Sequence, residues 1–138
     1  MSQGFTIIET TLVLCLTGIL TAIAIPGFAA VIDRIEVREA AIEIESCFSA
    51  ARHLAIDRGA QAFVELDTAA RKVIVRIAND TLRTRELRQH NVEVKATRTS
   101  MSYSPIGVGY GAANLTVILS RNAALDSVVV SRLGRVRR

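Results

Sequence analysis

The sequence predicts an α+β fold: one long N-terminal helix, its first half able to span a membrane, packed on a small antiparallel β-sheet head. Three observations predict it. From Phe5 to Ile32 the chain is apolar or small throughout, with Glu9 its only charge. Apolar residues then recur at helical spacing as far as Gly59. Beyond Gly59 they fall into short β-prone runs separated by turn-forming residues.

The apolar run has 28 residues, more than the roughly 20 a helix needs to cross a bilayer. No Lys or Arg precedes Arg34, so the run lacks the basic start and the short apolar core of a secretory signal. A plain anchor fits the length but leaves Glu9 unexplained, because an unpaired carboxylate in the membrane costs about 3 kcal/mol. Pro26 removes a backbone hydrogen bond and clashes with the preceding turn. It marks a bend or a point of local melting, or a simple kink at the membrane surface.

From Phe28 the pattern turns amphipathic. Phe28, Val31, Ile32, Ile35, Ile42, Phe48, Ala51, Leu54 and Ala55 form the expected apolar face, and acidic and basic residues from Asp33 to Glu45 fill in between. Gly59 suits a helix terminus. The helix from Phe5 to Arg58 would be roughly 80 Å long. In the head, residues 62–66 and 72–77 read as a hairpin joined through 67–71. Residues 92–97 alternate apolar and polar, and 115–120 and 127–131 are β-branched runs separated by 121–126. The glycines of residues 106–111 mark a loop or irregular edge, with Tyr110 either a stacking platform or a cap on the core.

Charge is uneven along the chain. The total is +4, but residues 1–67 carry a net −5 and residues 68–138 a net +9. The C-terminal half is either a solvated basic surface or the place where an anion is attracted. Cys15 and Cys47 are 32 residues apart, roughly 48 Å on one helix, which no disulfide can bridge. His53 and His90 have no sequence neighbours that would make a triad or a metal site. No enzymatic activity, cofactor or metal is expected.

Gly4-Phe5-Thr6-Ile7-Ile8-Glu9, followed by an apolar run containing Pro26, resembles the leader of type IV pilins and type II secretion pseudopilins. The resemblance implies that a prepilin peptidase cuts after Gly4 and methylates the new N-terminal Phe5. It also implies that Glu9 meets the N-terminal amine of a neighbouring subunit, a pairing that would make a buried charge a register device. Residues 49–59 and the closing 128–137 are similar to the FimT/GspH group, whose members are minor pilins of type IV pili and minor pseudopilins of type II secretion. The implied organisation is a leader over residues 1–4, a transmembrane and filament-core helix over 5–27, its amphipathic continuation over 28–58 and a β-rich head over 59–138. The implied location is the bacterial inner membrane, single-pass with the head outside the cytoplasm, and then the pilus filament among other major and minor pilins.

Some FimT proteins bind DNA through a C-terminal Gly-Arg-x-Arg, and Gly134-Arg135-Val136-Arg137 fits that pattern. Arg132 and Arg138 add charge, and no acid interrupts the stretch from Arg132 to Arg138. Arginine suits phosphate oxygens, and glycine permits a close approach or a positive φ. The expected ligand is double-stranded DNA held without sequence preference, as in uptake during natural transformation. Contact with four to six phosphates would give a log–log salt slope of roughly −4 to −5. Two other readings stay open: a structural or priming minor pilin whose arginines only protect an edge strand, and a GspH-type pseudopilin.

Overall fold

The computed structural model describes residues 6–78, 80–110 and 114–138; the leader, Gly4 and Phe5 lie outside them. Helix α1 runs from Ile7 to Arg58 and continues through Pro26. Thr6 stands just before its first turn, where its Oγ1 accepts the Glu9 N–H at 3.3 Å. Glu9 is therefore the third residue of the helix, a position at which a carboxylate is favoured both by capping and by the helix dipole.

The chain divides into two units, one through Ile32 and one from Asp33 to Arg138. Every described residue of the first is exposed, and this stretch includes a window of mean hydropathy 2.2. Its threonines do not spoil that character. Thr10, Thr11, Thr17 and Thr21 each return the hydroxyl to a carbonyl one turn earlier, at 2.7–2.9 Å, so none of these hydroxyls is left unpaired in an apolar medium.

In the second unit, α1 buries Val37, Ala40, Ala41, Ile44, Cys47, Phe48, Ala51 and Ala55. This corrects the expected stripe. Ile35 and Ile42 are 49% and 47% exposed, while both alanines between them are fully buried. The core-facing side of the helix combines four alanines and Cys47 with the larger Val37, Ile44 and Phe48, and Ile35 and Ile42 are left outside.

Two antiparallel sheets complete the unit. The first has the order β3-β2-β1-β5-β6, built from Ala62–Asp67 (β1), Lys72–Ile77 (β2), Asp80–Glu86 (β3), Ser100–Tyr103 (β5) and Gly109–Tyr110 (β6). The second has the order β4-β7-β8-β9, from Glu93–Ala96 (β4), Leu115–Arg121 (β7), Ala124–Val130 (β8) and Val136–Arg137 (β9). The β1–β2 hairpin lies where the sequence indicates, with Ala70 N–H donating to Asp67 Oδ1 at 2.7 Å in the turn. The separation expected over 121–126 is much shorter in the structure: Arg121 pairs with Ala124, leaving only Asn122 and Ala123 outside the ladder. Asn122 takes φ +51°, as such tight hairpins require.

Alternate residues of the strands, among them Val64, Leu66, Val73, Val75, Val117, Leu119, Val128 and Val130, meet the helix face in one core. His90 is the buried polar residue of that core, 6% exposed. Its Nδ1 lies 2.8 Å from Glu36 Oε2, and its Nε2 lies 3.1 Å from Gln89 Nε2. Its carbonyl accepts from Arg121 at 2.8 Å, and Arg121 Nε in turn meets Asp33 at 2.8 Å. His90 is thus paired through α1, a partner 54 residues away in sequence. Burial also pushes the Cys47 thiol up, which leaves it an apolar packing residue; both cysteines are free.

Two turns of the same build touch one another. In Ser104–Val108 and in Ser131–Arg135 the first residue accepts the N–H of a glycine three positions on, at 2.8 and 2.9 Å. It also donates its own N–H to the fifth residue's carbonyl, at 2.8 Å in both. The glycines, Gly107 and Gly134, have φ of +77° and +76°. A Cβ on Gly134 would stand 2.6 Å from the Gly107 carbonyl oxygen and 3.1 Å from the Tyr103 ring. Gly134→Ala is therefore expected to lower stability by about 1–3 kcal/mol, read as a lower midpoint in urea unfolding of the full chain in detergent.

Beneath this contact Tyr103 is fully buried, and its hydroxyl has no partner among the described residues. Burial pushes its pKa up to about 12, the nearby Arg52 charge opposing only in part. In the unfolded chain the phenol ionises at about pH 10. Its contribution is therefore complete below about pH 10 and is lost as pH rises through about 12. Tyr103→Phe is expected to flatten that alkaline loss without destabilising the fold near neutrality, measured by unfolding both proteins from about pH 8 to about pH 12.

Candidate nucleic-acid interface

The tail is part of the sheet. Val136 and Arg137 pair with Val130 and Val129 as an edge strand, and Arg132 N–H donates to Asn114 Oδ1 at 3.2 Å. The turn before them is closed by Ser131, whose Oγ accepts the Arg135 N–H at 3.2 Å. Gly134, buried under this turn, makes its close approach to the Gly107 carbonyl of its own chain.

Arg135 and Arg137 are both exposed, two residues apart and so on the same side of an extended segment. They line a groove of about 300 Å³ whose opposite wall is Ser49, Arg52 and His53 of α1. Those three recur at helical spacing and therefore share one face of the helix. Arg52 is held in place: its Nε donates to the Gly107 carbonyl at 3.0 Å. Among the described residues no carboxylate lines this groove.

The other expected contacts lie elsewhere. Arg138 turns toward Asp126, Nε to Oδ2 3.5 Å, in a separate groove with Arg34 and Arg38. Arg132 is exposed but lines neither groove. The structure thus gathers Gly134, Arg135 and Arg137, adds Arg52 and His53, and separates Arg132 and Arg138. Sequence reading missed Arg52 and His53 because nothing local ties a helix residue to a tail some 80 positions later. The glycines at both turns were the available signal.

No family profile matches this chain, and no curated protein matches it in sequence. Its fold does match solved structures. The type IV minor pilin FimU of Pseudomonas aeruginosa matches in one crystal form with TM-score 0.67 and 15% identity, over 75% of this chain and 88% of FimU. In a second crystal form the values are 0.63 and 13%, over 72% and 90%. The minor pseudopilin EpsH from the Type 2 Secretion System of Vibrio cholerae matches with TM-score 0.58 and 12% identity, over 74% of this chain and 94% of EpsH. The long helix packed on antiparallel sheets is the pilin-like fold, shared with minor pilins and minor pseudopilins.

Proposed function

We propose that this chain is a minor pilin of a type IV pilus that binds double-stranded DNA without sequence preference and supports its uptake in natural transformation. The observation that carries the reading is the pair Arg135 and Arg137, exposed, fixed by the Gly134 turn and facing Arg52 across a groove with no acid in its lining. Such an arrangement offers charge to phosphates, whose contacts position a protein on the duplex without carrying sequence information. Arg52, already held by the Gly107 carbonyl, loses less entropy on binding than a free arginine does.

The first part of the helix supports assembly. Cleavage after Gly4 by a prepilin peptidase frees Phe5, which is methylated, and Glu9 meets the N-terminal amine of a neighbouring subunit in the filament. The apolar run holds the subunit in the inner membrane with its head on the periplasmic side until extraction into the filament. Within α1, the exposed Ile35 and Ile42 provide apolar surface for contact with other pilins. No step of this role calls for catalysis. The match to EpsH favours a second reading, a pseudopilin of a secretion machine, in which the arginines are dispensable.

Two measurements test this. The full chain in a non-ionic detergent is expected to bind a labelled DNA duplex with an affinity that falls steeply with salt. The double variant Arg135→Ala/Arg137→Ala should weaken that binding at least tenfold at low salt and reduce the log–log slope by about two. Binding unaffected by the double variant sinks the DNA reading. In cells, Glu9→Ala should leave the protein in the membrane fraction and deplete it from sheared filaments; an unchanged filament fraction would refute the register role of Glu9.

A further inference from the structure

The groove that holds the tail arginines does not end at His53. That side chain is shared with a second and larger groove, of about 740 Å³, which lies between the last turns of α1 and β3. The charged lining of the second groove is Arg58, Arg83 and Asp57, two cations against one carboxylate. Arg58 and Arg83 form no ion pair or side-chain hydrogen bond among the described residues, so their charge is not already neutralised. Resting on the DNA reading above, we propose that the two grooves form one track for a nucleic-acid backbone, running from Arg135 and Arg137 across Arg52 and His53 to Arg58 and Arg83.

The dimensions suit a polyanion better than a single phosphate. From Ser49 to Arg58 the helix covers roughly 14 Å of axis. Successive phosphates of one strand rise about 3.4 Å, so the track runs beside about four of them. The tail alone offers two arginines. Counterion release grows with each phosphate neutralised, and the five arginines of the track, set against the one carboxylate of Asp57, therefore make a stronger site than the two of the terminal motif.

His53 is the join between the grooves. It is exposed, and glutamate is a better helix former than histidine, so His53→Glu puts a carboxylate in mid-track without threatening the fold. Arg83→Gln removes a charge at the far end. Arg98→Gln, in the loop between β4 and β5, removes the same charge from a residue that lines neither groove.

The test titrates the full chain in non-ionic detergent with a short labelled duplex over a salt series. Arg83→Gln is expected to reduce the log–log slope by about one, His53→Glu to weaken low-salt binding about tenfold, and Arg98→Gln to behave as wild type. His53→Arg should tighten binding. If Arg83→Gln and His53→Glu match Arg98→Gln while Arg135→Ala/Arg137→Ala still weakens binding, the tail acts alone and the track is refuted. If the tail double variant binds as wild type, the DNA reading itself fails.

Discussion

The close packing of one face of α1 against the two sheets is the constraint on which the rest of the head depends. That face carries alanine at four positions and cysteine at a fifth, all fully buried. These small side chains share the core with the larger Ile44 and Phe48, at most 1% exposed, which fill the space between helix and strands. Truncating a residue such as Phe48 would cost about 3–5 kcal/mol, a large share of a small domain's stability. The polar contacts then fix the helix in register on the sheet. Asp33 and Glu36 of α1 meet Arg121 of β7 and His90 in the turn before β4, and Arg121 also donates to the His90 carbonyl. A buried imidazole is tolerable there because its ring nitrogens and its carbonyl all meet polar groups.

The same packing decides where the basic side chains stand. Arg52 emerges beside Ala51 on α1, and its Nε is taken by the Gly107 carbonyl. That carbonyl is also the atom that a side chain at Gly134 would strike. One peptide group therefore positions both the helix arginine and the turn that presents Arg135 and Arg137. In a sequence motif Gly134 looks like a ligand contact. Its φ and its surroundings explain it as a structural glycine whose effect on binding is indirect.

The helix, its end at Gly59 and the two hairpins were legible because each is announced locally: an apolar run, a terminator, β-branched residues around turn formers. The edge strand Asp80–Glu86 was not, since Leu82 is its one apolar residue and its strand state comes from pairing with β2. Ser100–Tyr103 is short and polar for the same reason, being held by β1 and β6. The stripe on α1 was right at Phe48, Ala51 and Ala55 and wrong at Ile35 and Ile42, because hydrophobicity ranks isoleucine above Ala40 and Ala41, which face the core. For the site, the tail motif was visible and its opposite wall was not. Residues brought together by a turn–turn contact leave no periodic trace in the sequence.

The place of the basic track also shapes the kind of binding it can support. The end of α1 is its negative pole, worth about half an elementary charge, and its free groups are carbonyls rather than N–H donors. A phosphate loop works in the opposite way, with backbone donors at a helix N-terminus. Here attraction must come from side chains alone, and the dipole offsets about half of the charge of Arg58 in the last turn. Side-chain charge on an open surface is screened within about 8 Å at physiological salt. On the proposed DNA reading, a single head built in this way would hold a duplex weakly, and affinity would grow with the number of heads that one duplex can touch. A filament carrying several copies would supply that multiplicity, raising the effective concentration of each further contact.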